Sequence, residues 1–135
     1  MEIVCAVVVD RHIDDVFEYL ADRGHDRAWW RDVEGVEQLV GDGPGPGALY
    51  AVTLRRGRRV TATCVEYDPA GRLAWREEDR AGGAARVVYD LASAWTATRV
   101  TRTEAPVPAG AFARRRRTRA VTRALAALVR ALEGR

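Results

Sequence analysis

Apolar and polar positions along the chain alternate between a two-residue period and a helical one. Glu2–Val9 is almost entirely apolar and β-branched, which predicts a buried first strand. Ile13, Val16, Phe17 and Leu20 then fall at i, i+3, i+4 and i+7, one face of a helix. Asp14-Asp15 place negative charge in its first turn, where the helix dipole favours it. A second short helix or turn is expected over Asp26–Arg31, carrying Trp29 and Trp30. Six strand-like runs follow: Val36–Val40, Ala48–Arg55, Arg59–Tyr67, Arg72–Asp79, Ala85–Leu91 and Ala94–Glu104. Turn signals at Gly57, Asp68-Pro69-Ala70-Gly71 and Gly82-Gly83 leave short connections, which imply antiparallel neighbours.

Pro106-Val107-Pro108 ends the strand region. From about Ala109 to Glu133 no proline interrupts a helix roughly 35 Å long. Val121, Ala124, Leu125, Leu128, Val129 and Leu132 recur at helical spacing, so one stripe must be buried, and the sheet is the partner on offer. The order is one strand, two short helices, six strands and a long helix. This predicts an α+β fold in a single domain, 1–135, with about seven strands. A long helix lying across a curved sheet encloses space, and function is sought there.

Composition narrows the classes. Hydrophobic residues make up 47% and charged residues 30% of the 135, a soluble globular balance. Cys5 and Cys64 set neither a disulfide framework nor zinc spacing, and two histidines without clustered thiols or carboxylates give a metal no support. No cofactor is implied. There is no secretory leader pattern and no apolar run of membrane-spanning length, so a cytoplasmic protein is expected. The runs Arg55–Arg59 and Arg114–Arg117 raise nucleic acid as a partner, but 19 acidic residues offset the 22 arginines and no nucleic-acid motif is present. Gly41–Gly47 lacks the Lys-Ser/Thr ending of a phosphate cradle and precedes a strand; it reads as a flexible loop and a gate to a cavity.

Val9-Asp10-Arg11-His12-Ile13-Asp14-Asp15-Val16-Phe17-Glu18-Tyr19-Leu20-Ala21-Asp22, with Trp29 seven residues on, resembles the opening of the polyketide cyclase/dehydrase-type proteins. These belong to the START-like (SRPBCC, birch-pollen-allergen-like) superfamily. Gly43–Tyr50, Cys64–Pro69 with Arg72-Leu73, and Thr98–Thr101 sit where that family has its usual blocks, so the resemblance covers nearly the whole chain. One departure is His12, where the family often opens the helix with proline. The resemblance implies a helix-grip fold, in which a curved antiparallel sheet wraps the C-terminal helix around an apolar cavity. It also implies binding of hydrophobic small molecules, and in some members cyclisation or dehydration of poly-β-keto chains in secondary metabolism.

Strand alternation selects the side chains that face the concave side. They are Ala48, Tyr50, Val52 and Leu54; Val60, Ala62 and Cys64; Leu73, Trp75, Glu77 and Asp79; Val87, Tyr89 and Leu91; and Thr98, Val100, Arg102 and Glu104. A mostly apolar pocket with a few polar groups is expected. Arg117 lies about 40° and Arg114 about 20° from Val121 on the helical wheel, so both are placed at the cavity rim, while Arg115 and Arg116 point to solvent. Glu77 is the candidate base, Arg102 or Arg117 the candidate donor to an enolate, and Tyr89 or Tyr50 a proton donor. Tyr50, Trp75, Val87, Leu91, Val100, Glu104, Trp29 and Phe17 are expected to touch a ligand. All four tryptophans, Trp95 included, are expected in core or rim packing. His25 near the mouth and the two thiols are read as bystanders.

Three readings stay open: a cofactor-independent cyclase or dehydratase, a non-catalytic carrier, sensor or sequestering protein, and a partner-binding or nucleic-acid-binding domain with a collapsed cavity. In the second and third, the internal Arg and Glu only satisfy each other. A monomer or homodimer fits each.

Overall fold

The computed structural model describes residues 1–135. Strand β1 (Ile3–Val9) leads into α1 (Ile13–Ala21), followed by a 3-10 segment over Arg23–Ala28. Strands β2 (Val33–Val40), β3 (Leu49–Leu54), β4 (Arg59–Asp68), β5 (Arg72–Asp79), β6 (Ala84–Ala94) and β7 (Ala97–Ala105) precede α2 (Ala111–Glu133). The seven strands form one antiparallel sheet in the order β1-β7-β6-β5-β4-β3-β2. Five neighbouring pairs are sequential, as the short turns dictate; β1 closes against β7 after the chain has run the whole sheet.

His12 is not the first helical residue but the N-cap: its Nδ1 accepts the Asp14 N–H at 3.2 Å, doing for the helix end what a proline would do by lacking a donor. α1 buries Val16, Phe17, Tyr19, Leu20 and Ala21. Asp22 then caps the next segment by accepting the Gly24 N–H at 2.9 Å. That early cap starts the second helical segment at Arg23 rather than Asp26 and makes it a 3-10 turn. β2 likewise begins at Val33, earlier than its apolar run suggested, because Val33 pairs with Leu54 and Gly35 with Thr53 of β3 across a register shift at Glu34.

α2 buries Val121, Ala124, Leu125, Leu128 and Leu132 and packs on β1. Its far end is pinned where Glu133 accepts the Asp10 N–H at 2.8 Å. A single buried apolar cluster lies between α2, α1 and the concave sheet face. The bulge in β4 falls between Cys64 and Glu66, so Val60, Ala62 and Cys64 keep one face. β7 buries Thr98, Val100, Arg102 and Glu104 in alternation, carrying two charged residues inside. Trp95 departs from its expected place: it sits at the tip of the β6–β7 hairpin, fully exposed, at φ 61°. No helix is long and apolar enough to cross a membrane.

Candidate functional site

A cavity of about 750 Å³ lies under the first half of α2. Its walls come from β3 and β4 (Val52, Leu54, Val60), the end of β5 (Glu77–Asp79), Tyr89, Arg102 and Glu104 of the sheet's middle, the stretch Trp29–Val33, and the Pro106–Pro108 linker. Arg116, Arg117, Ala120, Arg123 and Ala124 of α2 form the roof. Trp29, Trp30, Val52, Leu54, Val60 and Val107 make an apolar wall, but 14 of the 29 lining residues are Arg, Asp or Glu. The expectation of a mostly apolar pocket is corrected on this point. The turn after β3 and the start of α2 both bring arginines to the same opening.

Two ion clusters form the floor. In one, Arg23 Nε donates to Asp26 Oδ2 at 2.7 Å and Nη2 pairs with Glu77 Oε2 at 3.0 Å, with the guanidinium 4.8 Å from the Trp75 ring centre. In the other, Arg102 Nη1 donates to Glu104 Oε1 at 2.8 Å and its Nε to Tyr89 Oη at 3.1 Å. Arg117 reaches down from α2 and grips both Glu104 oxygens at 2.8 Å. Trp30 lies beside both guanidiniums, 5.2 Å from Arg102 and 5.3 Å from Arg117, where cation–π attraction favours flat seating.

Burial opposes the charged form of Glu104, but hydrogen bonds from Arg117 and the charges of Arg102 and Arg117 win and hold its pKa at about 2. Burial likewise opposes the Arg102 cation, yet Tyr89, Glu104 and Glu77 around it raise its pKa, so it stays charged. Asp26 goes the other way: burial raises its pKa and Arg23, shared with Glu77, only partly counters this. Burial also raises the Tyr89 pKa against the pull of Arg102, so Tyr89 is a neutral phenol at pH 7 with its proton available. Arg102 Nη2 and Glu77 Oε1 have no hydrogen-bond partner in the protein.

The structure brings Glu77, Tyr89, Arg102, Glu104, Arg117 and Trp29 to this cavity. Tyr50, Trp75, Val87, Leu91, Val100 and Phe17 lie elsewhere, in the packed core. Alternation identified their face correctly, but it does not say which half of a concave face is filled; α1 and the lower part of α2 fill that half. Phe17 packs edge-on to Tyr67 at 5.1 Å, and Tyr50 edge-on to Trp75 at 5.8 Å. Tyr50 Oη and Trp75 Nε1 are buried without a protein partner.

Arg114 turns outward to Met1, while Arg116, exposed as expected, also borders the opening. The Gly41–Gly47 loop does not border the cavity and is no gate to it; Gln38 ties it down through Gly43. His25 stacks on Tyr19 at 4.1 Å, outside the cavity. Cys64 is buried with its pKa raised by burial, an unreactive thiol. Arg23 and Asp26 were missed in the sequence; their i, i+3 spacing puts them on one side of a helical turn and was the available signal.

Residues 2–133 match the family described as polyketide cyclase/dehydrase and lipid transport. No curated protein matches the chain by sequence. Among solved structures it is similar to DynU16, a putative protein in the dynemicin biosynthetic locus, at 19% identity and TM-score 0.76 over 98% of this chain. The match spans only 47% of the DynU16 chain. It is similar to Ara h 8.0201 at 12% identity and TM-score 0.77, covering 100% of this chain and 99% of the other. Protein CV1439 from Chromobacterium violaceum matches at 15% identity and TM-score 0.76, over 98% and 96% of the two chains.

Proposed function

The chain belongs to the polyketide cyclase/dehydrase and lipid transport family of START-like (SRPBCC) proteins, and from that premise we propose that its cavity binds a polyketide-like or polycyclic aromatic molecule and acts on it as a cofactor-independent cyclase or dehydratase. The observation that carries this reading is the neutral Tyr89 phenol bonded to Arg102, whose Nη2 has no protein acceptor, in the same cavity as Glu77 with one free carboxylate oxygen. The flat body of a ligand lies along Trp29, Trp30 and Val52. A ketone oxygen near Arg102 and Tyr89 would gain negative charge as Glu77 takes the adjacent α-proton, and those fixed donors favour that charge. The enolate carbon then attacks a second carbonyl of the folded chain, whose oxygen becomes an alkoxide and takes back the proton held by Glu77, and the shape of the cavity supplies the near-attack geometry. Secondary metabolism in the cytoplasm is the setting proposed, and the dynemicin-locus neighbour is in keeping with it.

A second reading, carriage or sequestration without chemistry, is favoured by one observation: all three floor carboxylates, Asp26, Glu77 and Glu104, are paired with arginine. The test separates the two. Glu77→Gln and Tyr89→Phe are assayed on a poly-β-keto thioester, with affinity and turnover measured independently. Catalysis predicts turnover falling roughly 100-fold or more at nearly constant affinity. Binding without turnover in the unaltered protein decides for carriage.

A further inference from the structure

The cavity's charge is unevenly distributed. Its floor is balanced: Arg23, Arg102 and Arg117 face Asp26, Glu77 and Glu104 in close pairs. Its rim is not. Arg31, Arg55, Arg58, Arg116 and Arg123 all line the opening, all are exposed, and none forms an ion pair. They come from three separate places, the β3–β4 turn, α2 and the residue after Trp30, so the fold gathers them where local sequence does not. Against them the rim has Asp32, Glu78 and Asp79. Of these, Glu78 is taken by Arg76 at 2.9 Å, outside the cavity; Asp79 accepts only the Gly83 N–H at 2.8 Å, so five arginines face two carboxylates not paired with arginine.

Like charges gathered at one opening repel each other and focus a positive field into the cleft. Guanidinium forks match the geometry of carboxylate and phosphate oxygens. A neutral ligand would leave the rim arginines unanswered, and an anion buried at the floor would meet a site already neutralised. We propose that the ligand is an amphipathic acid that lays its apolar body along the Trp29, Trp30 and Val52 wall and leaves an oxyanion, carboxylate or phosphate, among the rim arginines. This rests on the small-molecule reading of the cavity given above.

The test compares two probes with one aromatic skeleton: the anionic 1-anilinonaphthalene-8-sulfonate and the uncharged N-phenyl-1-naphthylamine. Dissociation constants are read by fluorescence at two salt concentrations. The sulfonate is expected to bind roughly tenfold tighter, an advantage that shrinks as salt screens the rim. In Arg55→Gln/Arg58→Gln and, separately, Arg116→Gln/Arg123→Gln, the ratio of the two constants falls toward one; near-UV circular dichroism checks that each variant is folded. Displacement by 2-naphthoate or by 1-naphthyl phosphate then identifies the preferred oxyanion. Equal affinity of both probes, or a ratio unmoved in both variants, overturns the anion assignment and leaves the cavity reading intact. Binding of neither probe overturns both.

Discussion

Arg117 of α2 holds both oxygens of Glu104 on β7 at 2.8 Å, and the same carboxylate accepts from Arg102 two residues away on its own strand. One buried acid thus joins the long helix to the sheet at the cavity floor. Removing it would leave two guanidiniums facing each other in a site built for three charges. Glu104→Gln is expected to cost about 3 kcal/mol in urea unfolding at pH 7, the scale for breaking a buried pair from one side.

The same carboxylate gives a pH dependence with a definite sign. Its folded pKa of about 2 lies below the ordinary 4.5, so its contribution is fully present above pH 4.5 and is lost as pH falls through 2. The amount at stake is on the order of 3 kcal/mol. Asp26, with its pKa raised, acts in the opposite sense, so the informative curve is the difference between the unaltered protein and Glu104→Gln. That difference should shrink between pH 4.5 and 2. A difference constant across this window would mean Glu104 does not carry its charge in the folded state as described.

Gly71 ends the β4–β5 turn at φ 152°, and a Cβ placed there would come within 2.5 Å of the Leu91 carbonyl oxygen. Leu91 N–H donates back to Gly71 O at 2.8 Å, so that backbone has little room to move. Gly71→Ala should cost about 3 kcal/mol by thermal or urea unfolding.

Tyr50 offers the contrary case. Its hydroxyl is buried and bonds to nothing in the protein, so deleting it removes a desolvated donor and leaves ring packing against Trp75 intact. Tyr50→Phe should change stability by less than about 0.5 kcal/mol in either direction. A loss of about 1–2 kcal/mol would show instead that the hydroxyl bonds a buried water.

Trp95 stands at φ 61° with its whole ring in solvent, a backbone shape that suits glycine in a two-residue hairpin turn. Trp95→Gly should raise stability by about 1 kcal/mol and leave probe binding untouched, since the hairpin tip lies away from the cavity.

The fold was legible because its signals are local and repeated. Turn residues set the strand neighbours, and the stripe from Val121 to Leu132 had only a sheet to bury itself against. The site was legible in part, for a physical reason. Alternation along β7 put Arg102 and Glu104 inside together, and the helical wheel brought Arg117 toward them. Alternation has no information on depth, so Val87, Leu91 and Val100 looked as much like cavity wall as Tyr89 did. Arg23 and Asp26 escaped notice because their burial depends on where Asp22 starts a short 3-10 turn, a matter of one hydrogen bond. Arg116 differs from Arg114 only by where α2 crosses the sheet, which sequence spacing does not fix.

The four tryptophans allow the most direct test of the cavity as the binding site. Trp29 and Trp30 line it, Trp75 lies in the core and Trp95 sits at the hairpin tip. Their indole N–H resonances are followed in a ¹⁵N correlation spectrum while N-phenyl-1-naphthylamine is added. The cavity account predicts saturable shifts at Trp29 and Trp30 with Trp75 and Trp95 still. Shifts confined to Trp95, or no movement in any of the four at saturating probe, would contradict it.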